Sequence, residues 1–157
     1  MVPMAMAARD GDGWVDCPCG GKHWGKYGAA GLLLLRDQSV LLQHRAPWVH
    51  NGDTWGIPGG ARDSHESFIE AAIREAHEEV GITADEIEVL NESYESHGQW
   101  SYHTIIAMAL APCQPIAANQ ESIEVRWIEI ADVTTLTLHP AFGRNWAKLR
   151  EIIQRLP

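Results

Sequence analysis

Cysteine and basic residues are both scarce in this sequence: its 157 residues hold three cysteines, and 12 lysines and arginines stand against 21 aspartates and glutamates. An odd number of thiols, with no secretion signal ahead of them, argues against a disulfide framework. The net charge of −9 speaks against nonspecific binding to nucleic-acid polymers or anionic membranes. It also repels a phosphate substrate unless cations bridge the two. No stretch approaches the roughly 20 apolar residues that a membrane span requires. The apolar start MVPMAMAA has neither a basic leader nor a long hydrophobic core. A cytoplasmic location is therefore expected. Internal repeats and low-complexity tracts are also missing, and 45% hydrophobic residues suffice for the core of one small domain.

Cys17-Pro18-Cys19 followed by His23 has the donor types of a zinc site. The sequence offers only three such ligands at tight spacing, with no second Cys/His pair following, whereas structural zinc is almost always four-coordinate. The preferred reading is an irregular N-terminal segment over residues 1–22, with reduced thiols, ahead of a single domain over residues 23–157.

Ser67 with Glu70 three residues later reads as a capping box, and Gly81 stands where a left-handed C′ residue is wanted, so a helix is expected over residues 68–80. Ile69, Ala72, Ile73, Ala76 and Val80 form its apolar stripe. Glu75, Glu78 and Glu79 fall at i, i+3 and i+4 on another face. Like charges at that spacing repel by roughly 0.2–0.5 kcal/mol per pair, and a hard divalent cation is the natural reason to group them. Pro58-Gly59-Gly60 and residues 61–65 look too rich in turn residues for a strand, and this loop delivers Glu66 beside the helix start. Strands are expected over residues 27–36 and 40–45, joined by a tight turn and hence adjacent, and over 54–58, 87–95, 102–110 and 125–130. A final helix spans 142–156.

The pattern G-x5-E-x7-R-E-U-x-E-E-x-G-U, with U an apolar residue, is carried by Gly60, Glu66, Arg74, Glu75, Ala76, Glu78, Glu79, Gly81 and Ile82 and resembles the Nudix box, with Ala76 standing where a larger aliphatic residue is usual. WGKYGAAGLLLLRD, VLLQHRAPWVHNGDTWGIPGG and EVRWIEI are similar to pieces of MutT-type members. The resemblance, over about residues 22–150, implies an α/β fold: the Nudix α/β/α sandwich, with a mixed sheet between helices. It implies hydrolysis of a nucleoside diphosphate-linked compound by water at phosphorus. Mg²⁺, with Mn²⁺ as a substitute, would be held by Gly60, Glu75, Glu78 and Glu79. Glu66 and Arg74 would organise the loop and helix, with contact to the metal through water left open for Glu66. For the general base the resemblance to MutT-type enzymes offers Glu121, outside the box, whereas the need to reach a metal-bound water puts Glu75 and Glu79 ahead of it.

The expected partner is a small nucleotide, met by Arg45, Trp48, Tyr102, Phe142 and Asn145 as candidate binding residues. Trp55 and Trp127 are read as core, and Trp14, Trp24 and Trp146 as packing the N-terminal segment and last helix. MutT relatives suggest 8-oxo-dGTP, cleaved to the monophosphate and pyrophosphate. One departure bears on this: His139-Pro140-Ala141-Phe142 places Phe where the best-known MutT pattern has the Asn that reads the oxidised base. ADP-ribose, nucleotide sugars or dinucleotides form the alternative substrate class. A non-catalytic nucleotide-binding module would predict a degraded acidic helix, and this one is intact.

Overall fold

The computed structural model describes residues 10–157. In chain order the elements are β1 (Trp14–Asp16), β2 (Lys22–Trp24), β3 (Ala29–Arg36), β4 (Ser39–Arg45), β5 (Trp55–Gly56), β6 (Gly59–Ala61), α1 (Phe68–Val80), β7 (Ile87–His97), β8 (Trp100–Ala109), β9 (Ser122–Glu129) and α2 (Pro140–Gln154). Among the described residues no helix is long and apolar enough to cross a membrane.

The run of leucines in β3 is explained by cover on both faces. Leu32 and Leu34 enter a core shared with Ala71, Ala72, Ala76 and Val80 of α1, while Leu33 and Leu35 enter a second core with Phe142, Trp146 and Leu149 of α2. A strand buried on both sides needs no polar face and so reads as an unbroken apolar stretch. β8 runs parallel to β3, with Ala29 opposite Tyr102 and Leu35 opposite Met108, and repeats the split: Ile105 and Ala107 face α1, Ile106 faces α2. Each fully buried leucine or isoleucine contributes roughly 1.5–3 kcal/mol. The mixed sheet between helices is the expected α/β sandwich, with β7 outermost beside β8.

The tight turn after β3 forms as expected, with Asp37 at φ 53°, but adjacency lasts only two pairs, Leu35 with Val40 and Arg36 with Ser39. Beyond them the strands part. β4 takes β9 and β5 as neighbours and β3 takes β6. The glycine-rich segment expected as a loop is thus in part a strand. Its backbone lies so close to β3 that a Cβ on Gly59 would meet the Ala30 carbonyl oxygen at 2.6 Å, so the absence of side chains permits the pairing that composition argued against.

A second correction concerns the N-terminus. Residues 1–9 lie outside the described residues, and the rest of the expected irregular segment contains β1, which pairs antiparallel with β2 as a separate two-stranded sheet. Trp14 lies opposite Trp24, an aromatic cross-strand pair that stabilises so short a hairpin.

Candidate active site

α1 begins and ends as its caps dictate. Ser67 accepts from the Glu70 N–H at 3.0 Å, the Glu70 carboxylate accepts from the Ser67 N–H at 2.8 Å, and Gly81 closes the helix at φ 76°. With the alanine stripe against the sheet, the acidic face is turned toward the space opened by the parting of β3 and β4. Glu79 enters it almost completely buried. One of its oxygens accepts from Gln43 Nε2 on β4 at 3.0 Å, and the other from the Gly59 N–H on β6 at 3.0 Å. Its carboxyl is pushed up to about 8, chiefly by burial and further by the charges of Glu75 and Glu121, against the opposing hydrogen bond from Gln43.

Glu75 is also raised, again first by burial, with Arg74 opposing and Glu78 adding to the shift. It lies against Gly60: a Cβ on that glycine would come within 2.6 Å of the Glu75 carboxyl carbon. A larger residue would displace the carboxylate. Glu75 and Glu79 feel each other's charge and both are held where ionisation is costly, while Glu78 lies 3.7 Å from Arg74; these groups offer only oxygen donors. Those properties fit a hard divalent cation and not a soft one.

Arg74 makes the supporting brace. Its Nε and Nη2 donate to the two oxygens of Glu66 at 2.6 and 2.8 Å, Nη2 also to the Ala61 carbonyl at 2.9 Å, and Nη1 to Glu75 at 3.0 Å. Glu66 further accepts from the Asp63 N–H at 2.9 Å. Burial raises the Glu66 carboxyl, but the Arg74 hydrogen bond and charge outweigh it and hold it below its ordinary value. In the structure Glu66 therefore ties the loop to the helix through Arg74.

Beside the carboxylates opens a pocket of about 280 Å³ whose wall includes Trp14, Trp24, Trp100, Tyr102, Phe142 and Asn145. A larger hollow of about 680 Å³ lies near Asp37, Glu129 and Arg150, away from Gly59 and Gly60, which line the smaller pocket and carry Glu79 and Glu75 against them. Size alone does not mark the site; convergence of aromatic surface with buried carboxylates does.

A NUDIX domain model matches residues 25–154. The chain belongs to the Nudix hydrolase family. A Mycobacterium tuberculosis protein provisionally named 8-oxo-dGTP diphosphatase 3 is 43% identical over 94% of this chain and 73% of its own length. A nucleoside triphosphate pyrophosphatase/Nudix hydrolase fusion protein of Bifidobacterium longum is 42% identical over 99% of this chain, which spans only 34% of that relative. Among solved structures, a Nudix hydrolase of M. smegmatis aligns with TM-score 0.85 at 44% identity, covering 94% of this chain and 98% of its own. Nudix hydrolases act on phosphoric anhydride bonds and generally use divalent metals.

Of the box residues named from the sequence, Gly60 lines the pocket with Glu75 against it, and Arg74 joins Glu66 to Glu75; the expected pocket residues divide. Arg45, Tyr102, Phe142 and Asn145 reach the pocket wall, whereas Trp48 is 72% exposed and does not line it. Trp48 sits in the loop after β4, whose turn carries it away. Tyr102 packs over glycine backbone: a Cβ on Gly31 would lie 2.2 Å from its hydroxyl. Burial raises its phenol, and the charges of Glu79 and Glu75 raise it further. Asn145 donates to the Ala141 carbonyl at 3.1 Å, and Phe142 is largely core, packed on Trp146.

Glu121 is exposed, and its carbonyl accepts from the Ala46 N–H at 2.8 Å. Its charge is nevertheless felt at Glu79. Glu124 is turned outward, paired with Arg126 at 2.6 Å. Trp14 and Trp24, expected to pack the N-terminal segment, are instead 58% and 42% exposed, set edge to face at 5.2 Å on the pocket wall. Their role was hidden because it depends on where the β1-β2 hairpin docks, which no local pattern encodes. Gln43 was missed for a related reason. In the sequence it is one polar residue in an apolar strand, and only the fold brings it to Glu79.

Proposed function

We propose that this chain is a Mg²⁺-dependent nucleoside triphosphate diphosphatase of MutT type. It would take purine deoxynucleotides, 8-oxo-dGTP among them, and release the monophosphate and pyrophosphate. The observation that carries this reading is that Gly59 and Gly60, against which Glu79 and Glu75 lie, form part of the wall of an aromatic-lined pocket of about 280 Å³, large enough for a base with its sugar. The M. tuberculosis relative, by its name, supports the substrate class. A cytoplasmic location, where such nucleotides occur, goes with it.

Gly60 through its carbonyl, with Glu75, Glu78 and Glu79, would hold the cation. When bound, that cation supplies charge neutralisation on the phosphates and activation of water. The chain's own residues do the rest. Trp24, Trp14 and Tyr102 offer flat surface for the base, and Arg45 at the pocket wall supplies positive charge for phosphate. His139 does not, since burial first, and then Arg45, His50 and Arg144, push its imidazole down to about 4 and keep it neutral. Glu79, aimed by Gln43 and the Gly59 N–H, is the proton acceptor in our reading, because burial tunes its proton affinity toward neutral pH. Water adds to phosphorus, its proton passes to the carboxylate, and the bridge between the α- and β-phosphates breaks with pyrophosphate leaving.

Product analysis tests the class. Nucleoside triphosphates should yield monophosphate and pyrophosphate in equal amounts with Mg²⁺ and nothing without a divalent ion. A preference for ADP-ribose or sugar nucleotides, giving two phosphomonoesters and no pyrophosphate, would overturn the reading.

A further inference from the structure

The three donors that looked insufficient in sequence acquire a fourth in space. Cys17, Cys19 and His23 on the β1-β2 hairpin meet His97, the last residue of β7, with one ligand atom from each lying within 4.8 Å of all the others. Tetrahedral zinc, with bonds of about 2.0–2.3 Å, sets its ligands about 3.3–3.8 Å apart, so closure shortens any pair by at most about 1.5 Å. The Cys19 Sγ to His23 Nε2 distance is already 3.3 Å.

The surroundings orient the donors as ligands need. In the turn between β1 and β2 the Cys17 N–H donates to the Gly21 carbonyl at 2.9 Å and the Gly20 N–H to the Cys17 carbonyl at 3.0 Å. The Cys19 N–H donates to Cys17 Sγ at 3.2 Å, the kind of contact that steadies a thiolate. Gly20 sits at φ +95°, where a side chain would strain the turn. His23 is stacked on Trp100 at 4.1 Å and 11°, and Trp100 in turn donates to the Gly25 carbonyl at 3.1 Å. The Nε2 of His97 is engaged by the Glu95 carboxylate, which leaves Nδ1 for a metal. A carboxylate behind a ligating imidazole fixes its tautomer and raises its basicity.

We propose that Cys17, Cys19, His23 and His97 form a structural zinc site that ties the N-terminal hairpin to the β7-β8 turn. Two thiolates with two imidazoles suit zinc, whereas the all-carboxylate cleft suits a hard ion. The proposal is independent of the substrate assigned above. The site answers a need of the fold. Two strands of three residues each are marginal by themselves, and this pair carries the exposed Trp14 and Trp24 that wall the pocket. A zinc bridge would clamp it to a point 80 residues away in sequence. It would also reach α2, because Glu95 lies 4.0 Å from Arg144 beside the pocket residue Asn145.

The test is metal analysis of the untagged full chain, purified under reducing conditions and reconstituted with zinc. One zinc per chain is expected, retained in Glu75→Gln/Glu79→Gln and lost in Cys17→Ser/Cys19→Ser and in His97→Ala. A strong chelator should lower the melting temperature by roughly 5–15 °C, restored by zinc and not by Mg²⁺. Cobalt substitution of the wild-type protein should show intense tetrahedral d–d bands with thiolate charge transfer, a readout that needs no variant to fold. Zinc below about a tenth per chain after reconstitution, cobalt without a thiolate band, or zinc that survives loss of the cysteines would each overturn the site.

Discussion

Exchanging Glu79 for Gln separates what the acidic cleft does for chemistry from what it costs the fold. The variant keeps shape. Gln43 Oε1 is buried without a hydrogen-bond partner, so rotation of the Gln43 amide lets it accept from the new side-chain N–H, while the remaining oxygen still accepts from Gly59. What disappears is a carboxyl whose proton affinity is raised from 4.5 in ordinary surroundings to about 8 in the fold. In the unfolded chain it ionises near 4.5; in the metal-free folded chain it stays protonated until about 8. Its contribution to stability is thus complete below the lower value and lost as pH rises through the interval. At roughly 1.4 kcal/mol per pH unit, the loss is on the order of 3–5 kcal/mol.

Denaturant melts of chelator-treated wild type between pH 4 and 9 should show that decline, and Glu79→Gln should flatten it, ending more stable than wild type above pH 8. Added Mg²⁺ should reverse the order, because binding stabilises only the protein with the full carboxylate set, and increasingly so as pH rises. Turnover should fall by at least about 10²–10³-fold, the scale for loss of one charged contact to the reacting centre. A folded Glu79→Gln enzyme at wild-type rate would refute the site, and a pH-independent metal-free wild type would refute the burial argument.

Arg74→Ala should cost about 3 kcal/mol or more in urea melts, since it strands the Glu66 carboxylate and the Ala61 carbonyl; Arg74→Lys, which lacks the planar fork, should recover less than half. Gly60→Ala should leave the metal-free melting temperature within a few degrees, because the obstructed Glu75 side chain can rotate, yet weaken Mg²⁺ affinity about tenfold or more; unchanged affinity by titration calorimetry would remove Gly60 from the site. Trp24→Ala should raise KM roughly 5- to 100-fold with little change in kcat, the range of one base–aromatic stack; an unaltered KM would move the base elsewhere. With Phe142 in place of an edge-reading Asn, kcat/KM for 8-oxo-dGTP over dGTP should remain well below the ~10⁴–10⁵ that buried hydrogen bonds deliver. A ratio in that range would point to Asn145 as a reader of the base edge.

Features whose physics is local are legible in the sequence. The capping box at Ser67 and Glu70, the left-handed Gly81, the alanine stripe and the acidic face each depend on neighbours within four residues, so α1 was legible to its last residue. The strand over residues 27–36 was legible too, while its cover on both faces, which explains the unbroken apolar run, emerged only from the fold. What tertiary structure decided are the meetings of distant segments. Glycines 59 and 60 became a strand because β3 lay close enough to accept bare backbone. β3 and β4 parted after two pairs as β6 took the same edge of β3 at Ala29–Gly31 and β5 that of β4 at Gln43 and His44, and that parting made the space in which Gln43 and Gly59 hold Glu79. His97 reached Cys17, Cys19 and His23 only through the register of β7 on β8. Sequence spacing encodes contacts along one helix or one turn, whereas a ligand set drawn from two hairpins exists only after the sheet has fixed which loops share an edge.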